Sequence, residues 1–322
     1  MSRADHGYFP HDLSDTPADF TLQAATVQTT CGPIFLVHRP LRPDSTRATV
    51  FLHGVGATWT TWTPMLRAAG PAIAELGNIL LVDLPGFGAS EPHPESLDAD
   101  AIGSALIQVC AAVGYHEIDL VGHSMGGYLA MAMASAGAPE IKSVCCVSGA
   151  YFSIVAAASR PAAAALRHPR ASLYYRTQVG ISLLGPWGPR LLAATARLGL
   201  LPLMLRPFLA HPRSARERFR ASLSHDFRGR SFRMAARNAK SHDPKTDWPR
   251  IAVPVCGLFG AQDRFTGHAD VVEFGRVLPN AAMTIVKDAG HFAHIEQPRA
   301  TFDRIRRFQA SFRPIVQEGP HG

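Results

Sequence analysis

A serine set between closely spaced glycines is the feature of this sequence with the clearest chemical potential. Residues 122–126 read GHSMG and fit the pattern G-x-S-x-G, between a predicted strand (117–122) and a predicted helix (126–136). In that context the pattern describes a nucleophile elbow, a sharp turn that presents a serine hydroxyl above a sheet. The alternative is an ordinary glycine-rich turn with an incidental serine. We predict that Ser124 is a nucleophile.

A serine hydroxyl is a weak nucleophile until a base removes its proton, and His291 is the predicted base. It follows Gly290 on the loop that leaves the last predicted strand, residues 281–286. That position fits the chain order serine, acid, histidine of folds that carry this elbow. His294 is the competitor, and we expect it to face the start of the closing helix instead.

The acid that orients this base is predicted to be Asp263, which follows the end of the preceding strand, residues 253–260. Asp270, inside a predicted helix, and Asp288, beside the histidine loop, are interpreted as structural residues. Asp83 also ends a strand but precedes the serine along the chain. We interpret it as the residue that holds the turn of residues 85–88.

Acyl transfer also needs two backbone N–H groups to stabilise an oxyanion. The predicted donors are Met125, directly after the serine, and Val55, in the loop His53-Gly54-Val55-Gly56. Gly56 is the second choice for the latter position. The alternative interpretation of this loop is a tight turn without a chemical role.

The elements that must position these residues alternate between strands and helices. Short apolar segments predict buried strands at residues 48–53, 78–83, 117–122, 142–148 and 253–260, after a hairpin at 20–29 and 34–39. Strands separated by helical segments indicate a parallel sheet covered on both faces. Residues 151–245 are helical in pattern, rich in arginine and punctuated by proline. We therefore predict an α/β core (20–150 and 246–314), a helical cap (151–245) and flexible ends (1–19 and 315–322).

The composition fits a globular protein with a large core. Of 322 residues, 47% are hydrophobic and 18% are charged. Five cysteines, an odd number with two adjacent, indicate reduced thiols, with no disulfide framework or metal site. The polar N-terminus has no apolar signal region, and no apolar run is long enough for a membrane span. The default expectation is a cytoplasmic protein of unknown oligomeric state.

Charge is distributed unevenly along the chain. Fifteen Arg and two Lys against three acidic residues give residues 151–245 a net +14, so the remainder of the +7 chain sums to −7. One hypothesis is peripheral contact of this segment with an anionic membrane, or with an acidic substrate or partner. The other is a solvated arginine surface. Nucleic acid is not expected as a partner, because no nucleic-acid-binding motif accompanies the arginines.

Taken together, these motifs resemble the α/β-hydrolase fold family, in particular its capped, esterase- or lipase-like serine hydrolases. The resemblance covers residues 21–149 and 248–312 and is carried by five motifs in the family's order. It implies an eight-stranded, mostly parallel sheet, a helical cap inserted after the sixth strand, and no metal or organic cofactor. The motifs are the His53-Gly54 loop, residues 83–90 (DLPGFGAS), the elbow at Ser124, Asp263-Arg264 and Gly290-His291.

The resemblance leaves several activities open. The first hypothesis is hydrolysis of a carboxylic ester, lipid-like or otherwise, in a small-molecule acyl substrate. Cofactor-free cleavage of a C–C bond in aromatic catabolism, peroxidase-like chemistry, and a ligand-binding receptor with little turnover are the alternatives. Epoxide hydrolases and haloalkane dehalogenases of the family place Asp at the elbow, so Ser124 argues against both. Apolar residues of the segment 183–208 could line an acyl pocket, but we expect most of them to pack the cap helices together.

Overall fold

The computed structural model describes residues 7–41, 45–90, 98–149 and 151–313, and its central feature is one eight-stranded sheet. The strand order is β1-β2-β4-β3-β5-β6-β7-β8. Strands β1, β2 and β4 pair antiparallel in succession, and all remaining neighbours are parallel. The strands are β1 (Gln23–Thr29), β2 (Gly32–His38), β3 (Arg47–Leu52), β4 (Asn78–Val82), β5 (Glu117–His123), β6 (Ile141–Val147), β7 (Val255–Gly260) and β8 (Ala282–Val286).

Fourteen α-helices accompany this sheet within the described part of the chain. They are α1 (Thr63–Ala69), α2 (Ala99–Ala112), α3 (Met125–Ser135), α4 (Tyr151–Ser159), α5 (Pro161–Arg167), α6 (Pro169–Leu183), α7 (Trp187–Arg197), α8 (Leu201–Leu205), α9 (Glu217–His225), α10 (Gly229–Asn238), α11 (Pro244–Asp247), α12 (Gly267–Val277), α13 (Ala293–Glu296) and α14 (Pro298–Ala310). Short 3-10 helices lie at Pro17–Phe20, Trp59–Trp62, Gly70–Leu76, Pro212–Ser214 and Trp248–Arg250.

Two apolar clusters, one on each face of the sheet, form the core. Side chains of α2, α3 and α12 pack on one face, and those of α1 and α14 pack on the other. Strands β3 to β6 are almost entirely buried, as expected for parallel strands that helices cover on both faces. The predicted α/β fold, with its mostly parallel eight-stranded sheet and helical insertion, is confirmed.

The sheet register brings two loops of chemical interest together. Leu52, the last residue of β3, lies opposite Gly122 near the end of β5, and Gly122 lies opposite Cys146 of β6. Because parallel strands end at the same edge of a sheet, the loop after β3 emerges beside the turn after β5. The β3 loop and the serine turn therefore meet at this edge.

Helices alone fill the described chain between β6 and β7, and we call residues 151–247 the helical insert. A carboxylate from the α/β core holds the first helix of this insert, α4, in place. Asp270 of α12 accepts hydrogen bonds from the backbone amides of Phe152 and Ser153, both 2.9 Å, and from the Ser153 hydroxyl. The carboxylate thus pairs otherwise free N–H groups in the first turn of α4. The structural role predicted for Asp270 is confirmed.

The N-terminal segment differs from the sequence expectation of a flexible extension over residues 1–19. From residue 7 onward the chain packs closely, and Phe9 is only 1% exposed. Its ring packs edge-on against Phe219 of α9 at 5.3 Å, and its amide donates to the Glu296 carbonyl. The polar composition of the segment concealed these anchors. Residues 1–6 and the predicted C-terminal extension 315–322 lie outside the described residues.

Candidate active site

The turn between β5 and α3 holds Ser124 in a conformation that few non-glycine residues adopt, with φ 51° and ψ −115°. Its glycine neighbours are required by close backbone contacts. A Cβ atom on Gly122 would overlap the Gly126 carbonyl, and one on Gly126 would overlap the Leu52 carbonyl. The Ser124 amide donates to the Val147 carbonyl at 3.1 Å, which ties the turn to the sheet. This is the geometry of a nucleophile elbow.

Three distant parts of the chain meet at this turn in one hydrogen-bonded line. His291 Nε2 lies 3.0 Å from Ser124 Oγ, and His291 Nδ1 lies 2.9 Å from Asp263 Oδ2. With the Nδ1 proton donated to the carboxylate, Nε2 is free to accept the serine proton. The structure therefore brings together the three residues that the sequence analysis selected as nucleophile, base and acid.

The Asp263 carboxylate is held in place by the loop that follows β7. Its Oδ1 atom accepts from the amides of Phe265 and Thr266, both at 2.9 Å. Its Oδ2 atom accepts from the Thr266 hydroxyl at 2.6 Å in addition to His291. These donors fix the direction in which the carboxylate faces the imidazole.

The His291 backbone is held from two sides. Its amide donates to the carbonyl of Phe208, a residue of the helical insert, at 2.6 Å. Its carbonyl accepts from Nε2 of His123, the residue before Ser124, at 2.9 Å. A Cβ atom on Gly290 would overlap the same Phe208 carbonyl, which explains why glycine precedes the histidine. Sequence reasoning gave no role to His123, and it considered Phe208 only as an apolar residue of the insert, not as a partner of His291.

A buried carboxylate, Glu296, organises the loop around His291. It accepts from the amides of Gly290, Phe292 and Ala210 and from the hydroxyl of Tyr8, all at 3.0 Å or less. Burial raises the pKa of Glu296 to about 7 against the opposing effect of these donors. The carboxylate thus joins the N-terminal segment, the insert and the histidine loop. An acidic residue within the apolar stretch HFAHIE was the available sequence signal, and it went unused.

The competing residues lie outside the hydrogen-bonded line. His294 is buried between the rings of Trp62 and His123, each 4.4 Å away, and burial lowers its pKa to about 3. Asp83 accepts from the amides of Trp59 and Ala89, both at 2.8 Å, which confirms its predicted role in the turn after β4. Asp288 is exposed in the turn after β8.

Two backbone amides beside Ser124 are free to act as oxyanion donors. Val55 and Met125 both line the cavity in front of the serine, and neither amide donates to an acceptor among the described residues. Gly54 lies so close that a Cβ atom there would fall 3.3 Å from the Ser124 Cβ. The backbone of this loop therefore lies close to the Ser124 side chain. The catalytic use of these two amides stays a prediction.

His53 sets the orientation of the Val55 amide. His53 Nε2 accepts from the Leu84 amide at 2.9 Å, so the ring proton is on Nδ1, which donates to the Gly54 carbonyl at 2.7 Å. In a trans peptide the N–H points opposite to the C=O, so fixing this carbonyl turns the Val55 N–H the other way. Burial lowers the pKa of His53 to about 4, which keeps the ring neutral.

An apolar cavity of about 860 Å³, its open mouth included, lies over Ser124 and His291. Insert residues such as Tyr151, Ile154 and Phe232 line it, and no Lys or Arg is among the described lining residues. A second cavity of about 1650 Å³, likewise open to solvent, adjoins it beneath α6 and α8. The two cavities share the lining residues Val55, Gln178, Phe208, Phe232 and Phe292.

The insert residues in the segment 183–208 divide into two groups. Leu192, Leu201, Met204, Leu205 and Phe208 line the second cavity, in agreement with the acyl-pocket alternative. The expectation that most of this segment packs inside the cap is wrong for a further group that is exposed to solvent: Leu183, Leu184, Trp187, Leu191 and Leu200. Leu203 is exposed and also lines the cavity mouth. Among the described residues, no group of three or more His, Cys, Asp or Glu could hold a metal ion.

Comparisons with known proteins agree with the fold described above. A 2-hydroxy-6-oxononadienedioate/2-hydroxy-6-oxononatrienedioate hydrolase of Cupriavidus pinatubonensis is 26% identical over 80% of this chain and 84% of its own. The putative carbamate hydrolase RutD of Enterobacter cloacae is 24% identical over 81% and 90%. A thermophilic esterase from Thermogutta terrifontis shares the fold, with a TM-score of 0.68, 21% identity and coverage of 90% and 98%. The model of the Alpha/beta hydrolase family matches residues 49–304, so the chain belongs to that family.

Proposed function

We propose that this hydrolase cleaves a neutral, lipophilic carboxylic ester through an acyl-enzyme on Ser124. The observation that carries the proposal is the line Ser124–His291–Asp263, with distances of 3.0 and 2.9 Å, facing an apolar cavity beside two free amides. Hydrolase activity follows from the family, and the ester bond is the specific part of the proposal.

In this mechanism Ser124 Oγ attacks the ester carbonyl while His291 Nε2 takes the hydroxyl proton. The imidazolium so formed is stabilised by Asp263, and the amides of Val55 and Met125 receive the oxyanion. His291 then gives its proton to the departing alkoxide, which leaves as the alcohol. A water molecule, deprotonated by His291, attacks the acyl-enzyme, and the carboxylic acid leaves as Ser124 regains its proton.

The cavity lining favours a substrate without charge near the reacting carbonyl. Transfer of a carboxylate from water into an apolar site costs several kcal/mol unless a cation or hydrogen-bond donors compensate. The relative's substrate names end in dioate and so denote dicarboxylates. No cationic side chain is among the described residues around Ser124, whereas Arg206 and Arg264 line only the second cavity. A neutral acyl group therefore fits this site better than a dicarboxylate does.

C–C bond hydrolysis is the second candidate, because a relative that matches 80% of the chain carries that name. It would use the same serine, histidine and aspartate with a different substrate. An assay that measures the loss of colour of a ring-fission dienone dicarboxylate separates the two candidates. If the enzyme hydrolyses the dienone and does not hydrolyse the esters, C–C bond hydrolysis replaces the ester proposal.

The test of the ester proposal is a panel of p-nitrophenyl esters graded by acyl length. We expect Ser124→Ala to lose a factor of roughly a thousand or more in kcat. Ser135→Ala, at the far end of α3, is the matched control and should retain turnover. Wild-type rates in Ser124→Ala would refute the acyl-enzyme, and an optimum at the shortest acyl chain would refute a lipophilic substrate. Tight, saturable ester binding with almost no turnover would indicate the receptor alternative.

A further inference from the structure

One side of the helical insert carries large apolar side chains that the described chain leaves uncovered. Of the thirteen exposed large apolar residues in the described ranges, seven lie at positions 183–203. Trp187 and Leu198 are 68% and 73% exposed. We call this set the apolar face, and it consists of Leu183, Leu184, Trp187, Leu191, Leu198, Leu200 and Leu203.

Helix α7 gives the apolar face its arrangement. Leu191 and Leu198 follow Trp187 by four and eleven residues, about one and three turns, so the three side chains form one stripe along the helix. Other residues of α7 pack against α9 of the insert. Leu203 is a further exposed leucine on α8, the next helix along the chain. A contiguous exposed apolar patch of this kind marks a site of contact with a protein or a membrane.

Positive charge surrounds the apolar face. No Asp or Glu occurs from residue 141 to residue 216, whereas nine arginines occur between residues 151 and 216. Arg190, Arg197 and Arg206 are exposed. None of the three takes part in an ion pair with a carboxylate of the described residues. The Arg190 guanidinium lies 5.0 Å from the centre of the Trp187 ring.

We propose that the apolar face docks on an anionic phospholipid surface. Its leucines and Trp187 would enter the boundary between headgroups and acyl chains, and Arg190, Arg197 and Arg206 would contact the lipid phosphates. Exposed leucines and a tryptophan beside arginines are the chemistry of helices that lie in a membrane interface. The absence of acidic residues over 76 consecutive positions favours this occupant over a protein surface of mixed charge. No helix in the described ranges is long and apolar enough to cross a bilayer, so the contact would be peripheral.

The docked orientation has a consequence for the cavities. Leu203 belongs to the apolar face and, with Leu173 and Arg206, also lines the second cavity. Docking would therefore place this opening at the lipid surface, from which a lipophilic ester could enter without crossing water. This consequence rests on the proposed function, whereas docking itself does not.

The test is cosedimentation of the full chain with vesicles of phosphatidylcholine alone and of phosphatidylcholine with phosphatidylglycerol. Using Ser124→Ala separates docking from turnover, since we expect that variant to bind even though it does not hydrolyse. We expect binding to the anionic vesicles, weakened by added salt, and little binding to phosphatidylcholine. Quenching of tryptophan fluorescence by brominated lipids measures insertion directly. The chain has four tryptophans, and Trp59, Trp62 and Trp248 are buried, so quenching by these lipids reports Trp187.

Two paired substitutions test the two parts of the contact. Leu198→Asp with Leu200→Asp should weaken vesicle binding roughly tenfold or more, because charges replace inserting apolar groups. Arg190→Gln with Arg197→Gln should weaken it roughly thirtyfold on anionic vesicles and change nothing on phosphatidylcholine. None of these four residues lines either cavity, so hydrolysis of a water-soluble ester should be unchanged.

Matched control substitutions lie at exposed positions of α12 and α14, outside the helical insert. Val272→Asp changes an exposed apolar residue of α12, and Arg304→Gln with Arg307→Gln removes the same charge from exposed positions of α14. Equal losses of binding in these controls, or no sedimentation with any vesicle, would overturn the proposal. So would a dimer in gel filtration that Leu198→Asp with Leu200→Asp dissociates, since the face would then bind a second copy. Circular dichroism melts establish that each variant folds.

Discussion

The His53 ring makes two hydrogen bonds with different consequences, and two substitutions can separate them. Nδ1 donates to the Gly54 carbonyl, and Nε2 accepts from the Leu84 amide. In His53→Asn the side-chain amide nitrogen takes the approximate position of Nδ1 and can still donate to Gly54. In His53→Gln the side chain reaches the position of Nε2 and can accept from Leu84, but it no longer holds the Gly54 carbonyl.

The expected magnitudes follow from these contacts. Each variant leaves one buried backbone group unpaired, which costs about 1–3 kcal/mol of unfolding free energy in both. The two should therefore melt at similar temperatures. Only His53→Gln releases the peptide that orients the Val55 N–H. Loss of one oxyanion donor lowers kcat by roughly 10²–10³, so we expect a decrease of up to that factor in His53→Gln.

The assay is steady-state hydrolysis of a p-nitrophenyl ester, with thermal unfolding measured on the same samples. We expect His53→Asn to retain kcat within about tenfold of wild type and both variants to keep KM, because the donor acts on the oxyanion and not on the bound ester. Equal kcat values in the two variants would refute the argument that His53 acts through the Gly54 carbonyl. Near-wild-type kcat in His53→Gln would refute the role of the Val55 amide.

Two further predictions concern residues far from the serine in sequence. Phe9→Ala should lower the unfolding free energy by about 3–5 kcal/mol in a denaturant titration, because the ring is buried against Phe219. A change under about 1 kcal/mol would support the flexible segment that the sequence predicted. Glu296 has its pKa raised from 4.5 to about 7, so the folded state favours the protonated form and the stability from this group is lost as pH rises through that interval. Relative to Glu296→Gln, the wild type should lose about 3 kcal/mol between pH 4.5 and 7, and a pH-independent difference would contradict the assignment.

Sequence reasoning selected three residues that the structure brings together, and it could do so for a definite physical reason. Ser124, Asp263 and His291 each lie in a loop or turn that follows a strand, and parallel strands deliver their following loops to one edge of the sheet. Strand boundaries and chain order were therefore enough to select them. Apolar runs of short length also marked the strands β3 to β7 to within two residues.

The residues that support this site were beyond such reasoning because their partners are remote. Tyr8 meets Glu296 across 288 positions, and although an acidic residue in an apolar stretch marks Glu296, nothing local indicates that its partner is Tyr8. The tautomer of His53 depends on Leu84, 31 positions away. The sequence likewise did not show which apolar side chains of the insert are exposed to solvent. A run of leucines reads the same whether it is buried or faces solvent, and only the packing of α7 separated the two.

The contact between the Phe208 carbonyl and the His291 amide gives the insert more than a covering role. A second bond of the same kind joins the Pro207 carbonyl to the amide of Arg264, next to Asp263. Exchange of this region for that of another hydrolase, a common strategy for changing substrate range, would lose both hydrogen bonds unless the graft reproduced the turn at residues 206–208. A chimera that keeps residues 207 and 208 should accordingly outperform one that replaces the whole region, whatever substrate the new helices admit.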